Sequence, residues 1–205
     1  MVTEGLKPTR SELIQIKRKI KLSEMGHKLL KMKRDGLMYE FFEVLPNAKN
    51  IRTDLIDIYK DCHQKLAIAM AKDGKLQVKS VAHTQQEVPK LHLEPKNIMG
   101  VVVPSVKFSM LKKKLNERGY GIIGTSPDID EVVNAYEKLV EQIIKAAEIE
   151  TTIKRLLEEI DKTKRRVNAL EFRVIPTLSE DASYITLRLE EIERENVFRL
   201  KRIKG

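Results

Sequence analysis

Residues Gly119-Tyr120-Gly121-Ile122-Ile123-Gly124 carry the spacing G-x-G-x-x-G. In a dinucleotide fold this spacing lets a tight turn bring backbone N–H groups against a pyrophosphate. That chemistry needs a strand before the turn and a helix after it, within a βαβ unit. Here the preceding stretch is rich in Lys, and no such unit surrounds it. Read as a phosphate loop, the same glycines require Lys next, to reach the β- and γ-phosphates. Thr125 stands there, followed by Ser126. The segment therefore reads as a loop entering a helix. The histidines, His27, His63, His83 and His92, share no H-E-x-x-H setting, and Cys62 belongs to no C-x-x-C pair. Cys62 and His63 are adjacent, so on a helix they point to different faces. The carboxylates are mostly matched to bases four residues away. No catalytic, cofactor-binding or metal site is expected.

Composition explains why. Of 205 residues, 34% are charged and 5% aromatic, with no Trp, 9 Gly and 7 Pro. That profile suits long helices better than a thick core. The net charge is +9, from 39 basic and 30 acidic residues; nucleic acid or an acidic protein surface would both attract it. A single cysteine cannot form an internal disulfide and fits a reducing compartment. No apolar run approaches the ~20 residues that span a bilayer, and the basic N-terminus has no signal-peptide core. A cytoplasmic protein without direct membrane insertion is expected.

Two long segments carry helical spacing. In the first, Thr9 and Glu12 form a capping box. Leu13, Ile16 and Ile20 follow at coiled-coil spacing, and Leu22, Met25, Leu29 and Met32 repeat it on a shifted stripe, read as a change of phase in one seam. Leu55, Ile58, Cys62, Leu66 and Ala69 continue the apolar face. Pro46 predicts a kink or break near Leu45, and Asp73-Gly74 predicts the stop. In the last segment Ser126 caps, Pro127 opens the helix, and Asp128, Asp130 and Glu131 suit its positive start. Ile153, Leu156, Ile160, Thr163, Val167, Leu170 and Val174 step by three and four; Leu178, Ala182, Ile185, Leu189 and Ile192 resume after a slip of one near Pro176. Pairs such as Glu190–Arg194 and Glu195–Arg199 support the exposed face. A helix from Pro127 to Ile203 would measure on the order of 115 Å and needs a partner to cover its narrow stripe.

The expected fold is therefore all-α: a long antiparallel left-handed two-helix coiled coil with a small β-hairpin or loop insertion at the end away from the termini. Its parts are an N-terminal helix over 1–72, the insertion over 73–126 and a C-terminal helix over 127–205. Within the insertion, alternation from Leu76 to Ala82 suggests a weak strand. Val101-Val102-Val103 is a β-branched run, and Lys107 to Arg118 suggests a short basic helix.

Charge is concentrated at the ends. Arg10 to Arg34 holds nine Lys/Arg against two Glu, and Arg199, Lys201, Arg202 and Lys204 crowd the C-terminus without an acid. Antiparallel pairing brings both clusters to one tip. Arg10, Lys17, Arg18, Lys19, Phe198, Arg199, Leu200, Lys201 and Arg202 are the expected partner-contact residues.

Several segments resemble a known family in order along the chain. Pro8-Thr9-Arg10, Lys17-Arg18-Lys19, Gly26-His27-Lys28-Leu29-Leu30-Lys31 and Lys33-Arg34-Asp35 resemble the N-terminal pattern of the V/A-type (archaeal/vacuolar) ATPase D subunit. Met99-Gly100-Val101, Val103-Pro104 and Gly121 to Ser126 resemble its middle motifs; Arg165 to Glu171, Glu193 to Asn196 and Phe198 to Lys201 resemble its C-terminal signature. Gly36 and Pro46 depart from the family's uninterrupted first helix. The resemblance implies a non-catalytic central-stalk rotor with no cofactor. It transmits torque between a membrane ion-driven ring and the catalytic A/B hexamer, at the cytoplasmic face of the cell membrane. The implied partners are the hexamer, the small F subunit, the membrane-proximal C subunit and the rotor ring. A basic coiled coil that binds nucleic acid, or an adaptor coiled coil, is the rival reading. Neither stacking aromatics nor a recognised nucleic-acid module supports the first, so no nucleic-acid partner is expected.

Overall fold

The computed structural model describes residues 7–84, 91–108, 119–121 and 125–204. Helix α1 runs Arg10–Asp73, α2 Lys75–Thr84 and α3 Pro127–Ala169. A π-helical turn, Leu170–Val174, joins α3 to α4, Ile175–Lys204. Strands β1, Leu91–Ile98, and β2, Val101–Phe108, form the one sheet among the described residues, an antiparallel pair. The chain divides into two compact units: Met1–Met38 with Glu159–Gly205, and Tyr39–Glu158.

The helix starts follow the sequence. Thr9 Oγ1 accepts the Glu12 N–H at 3.2 Å, and Ser126 Oγ accepts the Asp128 N–H at 3.2 Å, each satisfying a donor that the helix leaves open. Gly74, at φ +85°, ends α1 in the left-handed conformation. Pro46 does not break α1, which continues as one 64-residue helix. The proline withholds one N–H and crowds the Phe42 carbonyl. Phe41, Val44 and Leu45 around it are half-buried. The strand expected over Leu76–Ala82 is instead α2. Lys75, Leu76, Gln77, Lys79 and Ala82 are good helix formers, and the three-residue step from Val78 to Val81 puts one apolar edge inward, with Val81 buried against Tyr120, Ile129 and Val133. Of the basic helix expected over Lys107–Arg118, Lys107 belongs to β2, and residues 109–118 lie outside the described residues.

In the first unit α1 runs antiparallel to the C-terminal helices. Arg10 pairs with Glu193, His27 Nε2 lies 3.4 Å from Glu171, and Lys33 Nζ lies 3.3 Å from Glu159. Partner numbers fall as α1 numbers rise. Ile16, Leu37, Thr163, Val167 and Ile185 are buried along the seam. The shifted stripe is not part of it: Leu22, Met25, Leu29 and Met32 are 51–67% exposed. The sequence carries two apolar stripes on α1, and spacing alone does not say which one faces the partner helix. Ile16, Ile20, Leu30 and Leu37 are the inward line. The slip near Pro176 has a physical carrier in the π turn, where the Ile175 N–H donates to the Leu170 carbonyl, five residues back. On a regular helix one extra residue would rotate the following stripe by about 100°; the wider turn takes up that residue, and Ile185 stays buried.

In the second unit Cys62 packs with Ala135 and Leu139, flanked by Leu55, Ile58 and Tyr136. Lys72 Nζ donates to Asp128 at 2.7 Å, so this pairing is antiparallel too. The hairpin closes through Met99 and Gly100, both at positive φ, as a two-residue type I′ turn requires. The Gly100 N–H donates to Asn97 Oδ1 at 2.9 Å. The hairpin belongs to the unit that lacks the chain termini, yet it does not project beyond α3. Arg155 Nη1 donates to the Val102 carbonyl at 2.7 Å, which places β2 alongside α3 two-thirds of the way down that helix. Val101 and Val103 are buried, whereas β1 is exposed throughout except at Ile98.

Candidate interaction site

The glycine spacing that suggested phosphate chemistry serves packing. Gly119 sits at φ +77°, and a Cβ there would lie 3.0 Å from the Thr84 carbonyl oxygen, so the loop passes close over the end of α2 only with glycine. Tyr120 is buried, and its hydroxyl donates to Asp130 at 2.6 Å. Ile122, Ile123 and Gly124 lie outside the described residues. At the start of α3, where a phosphate would need free N–H groups and positive potential, Ser126 already accepts the Asp128 N–H through Oγ and the Ile129 N–H through its carbonyl, and Asp128 and Asp130 supply negative charge. The Lys72 contact holds the Asp128 carboxyl below its ordinary range, and Asp128 in turn raises Lys72. Among the described residues no group of three His, Cys, Asp or Glu is arranged to hold a metal. His63 stacks on Tyr59, with centroids 6.2 Å apart.

The chain ends carry the candidate contact surface. Arg10, Lys17, Arg18 and Lys19 are exposed at the start of α1. Every residue from Glu190 to Lys204 is exposed, and Phe198 reaches 71% and Leu200 64%. The Arg10–Glu193 pair fixes the register here. It sets Lys17, Arg18 and Lys19 on one side of that contact along the axis and Phe198, Arg199, Leu200, Lys201 and Arg202 on the other. The two basic clusters therefore share one end of the unit but do not interleave. Arg199 lies 3.7 Å from Glu195, and Arg194 lies 3.8 Å from Glu190. Beyond Glu193, α4 continues for about 16 Å. It presents Val197, Leu200 and Ile203 as an open apolar edge among the bases.

The family model for the ATP synthase D subunit matches residues 12–205. This chain belongs to the ATP synthase D-subunit family. It is 59% identical over 204 residues to the A-type ATP synthase D subunit of Methanococcoides burtonii, covering 100% of this chain and 99% of that protein. Against the same protein of Methanosarcina acetivorans it is 60% identical over 205 residues, with 100% and 98% covered. Against that of Archaeoglobus fulgidus it is 51% identical over 200 residues, with 97% and 96% covered. In this member of the D-subunit family, three features of the surface escape a reading by spacing. Glu193 is the partner of Arg10, and residues 183 positions apart give no local signal. Arg155 as the anchor of the hairpin is equally silent, since its acceptor is a backbone carbonyl. The exposed stripe on α1 is visible in the sequence, where its spacing imitates the seam.

Proposed function

We propose that the chain is the central-stalk rotor subunit of an archaeal/vacuolar-type rotary ATP synthase. It transmits torque between the membrane ion-driven ring and the catalytic A/B hexamer and performs no chemistry itself. The observation that carries this reading is the D-subunit family match along residues 12–205. The antiparallel pairing within each unit supports it, because two packed helices resist twist better than one. Among the described residues no helix is long and apolar enough to cross a membrane. In this reading the chain sits at the cytoplasmic face of the cell membrane through its partners: the hexamer, the F subunit, the C subunit and the ring. Residues 1–72 and 127–205 act as the shaft, and 73–126 as an insertion.

The exposed end formed by Arg10, Lys17, Arg18, Lys19, Phe198, Arg199, Leu200, Lys201 and Arg202 faces the hexamer bore. Contacts there must slide, which favours solvated charge over interlocking apolar side chains. Each solvated pair contributes only ~0–1 kcal/mol, so single substitutions are tolerated. Changing Lys201, Arg202 and Lys204 together to Glu is expected to lower coupled ATP hydrolysis by the reconstituted complex while the variant keeps its helicity. Unchanged assembly and unchanged coupled hydrolysis would remove the basic end from the mechanism. Failure of the unaltered chain to assemble with the catalytic subunits would overturn the rotor reading itself.

A further inference from the structure

Helix α1 is apolar on two faces, and the described residues cover only one. At 3.6 residues per turn, the stripe of Leu22, Met25, Leu29 and Met32 lies roughly 125° round the helix from the buried line of Ile16, Leu30 and Leu37. The four side chains step by three, four and three residues, the spacing of a coiled-coil seam. All four are more than half exposed, in contrast to single surface apolar residues, which need no explanation.

A second, independent observation falls beside them. Gly26 lies in mid-helix, one turn from both Leu22 and Leu29. A Cβ built on it meets nothing within 4 Å. Glycine inside a helix is unfavourable relative to alanine, and among the described residues no contact requires it here. The notch it leaves beside the stripe is open to a side chain from outside.

Charge selects the occupant. Lys21 and Lys28 border one side of the stripe, and Arg18 stands in line with it one turn before Leu22. On α1 the nearest acids, Glu24 and Asp35, lie further round, Asp35 held by Arg34 at 2.7 Å, and on the other flank Lys33 holds Glu159 of the paired helix at 3.3 Å. A second copy of this chain would bring like charges together. We propose that the stripe is the seat for one amphipathic helix of a partner subunit. That helix carries apolar residues at three- and four-residue spacing, one of them entering the Gly26 notch, and has Asp or Glu along its flanks. Two unbranched Met side chains give the seat an adaptable surface.

The partner is sought among the subunits that assemble with this chain, so the inference rests on the function proposed above. The test uses the full chain reconstituted with those subunits and a benzophenone amino acid at position 29. Cross-linking to one acid-flanked helix is expected. In parallel, Leu22→Asp with Leu29→Asp should weaken assembly about thirtyfold or more, the scale of a central contact, with helicity unchanged. Gly26→Leu should act in opposite directions: a higher Tm for the isolated chain and at least roughly tenfold weaker assembly. If the aspartate pair fails to fold, Gly26→Leu decides alone. Normal assembly of the Gly26→Leu chain, cross-links confined to another copy of this chain, or cross-links to added duplex DNA would each overturn the seat and leave the rotor reading standing. An unaltered chain that assembles with none of the subunits removes both.

Discussion

Cys62 shows how a residue can be chemically capable and structurally silent. Its thiol packs between Ala135 and Leu139, and burial raises it above its ordinary value, with Asp61 adding to the effect. A thiol that stays protonated is a poor nucleophile. Alkylation by iodoacetamide at pH 8 should run at least roughly tenfold slower in the folded chain than in urea; equal rates would place Cys62 outside the seam. The Lys72–Asp128 pair behaves differently, because it is open to water. Asp128 is depressed by the hydrogen bond from Lys72, so its contribution is present above the ordinary carboxylate value and lost as pH falls through the lowered one. Lys72 is raised by the hydrogen bond to Asp128, so its contribution is present below its ordinary value and lost only as pH rises through the raised one. The Tm difference between the natural chain and Asp128→Asn should therefore be flat through neutral pH and vanish in acid. A difference that persists below the carboxylate range would mean that Asp128 acts through something other than its charge. Residues such as Cys62 are legible from periodicity, because a seam position needs only the right spacing. The long-range partners, Glu193 for Arg10 and Val102 for Arg155, are not, because no local pattern encodes them.

At the scale of elements, the rules that succeed are those acting within one turn. The Thr9 and Ser126 caps, Pro127 at the start of α3 and Gly74 at the end of α1 each work through neighbouring backbone groups. The rules that mislead depend on surroundings. Pro46 is disfavoured in an isolated helix, yet α1 continues through it. Pro46→Ala should accordingly stabilise the chain, by up to ~3 kcal/mol, read as a rise in Tm; an unchanged Tm would show that α1 carries no strain at that point. Short alternation in Leu76–Ala82 fits a strand or a helix edge equally, and packing against Tyr120 and Ile129 decides for the helix. The π turn is the sharpest case. Spacing reveals a slip of one residue near Pro176; the hydrogen bond from Ile175 to Leu170 shows what houses it. Deleting Phe172, which is exposed, removes the extra residue and should let the turn close as ordinary α-helix with Ile185 still in the seam, so that the Tm changes little. A large loss of stability on thermal melting would mean that the seam depends on the π turn itself.

For the molecule as a whole, the family is legible because ordered motifs survive along the entire chain, and the function follows from the family rather than from any reactive group. The use of the surface is harder to read. Charge marks the ends, whereas the open stripe on α1 becomes apparent only when burial separates the two apolar faces. The hairpin, in turn, governs how many such molecules behave together. Pro95 and Pro104 stand opposite each other in the sheet. Two residues without N–H groups cannot form a hydrogen-bonded pair, so their positions point outward from the ladder. Pro95 thus removes a donor from the outer edge of β1, which pairs with no further strand among the described residues and whose Leu91 and Leu93 are exposed. An open apolar strand edge is a template for further strands, and a proline on it stops the template from propagating. Pro95→Thr should leave the helical spectrum unchanged yet shorten the lag before thioflavin-positive fibrils appear in concentrated solution. The natural chain, by this account, carries its own protection against amyloid on a strand that contributes little to its core.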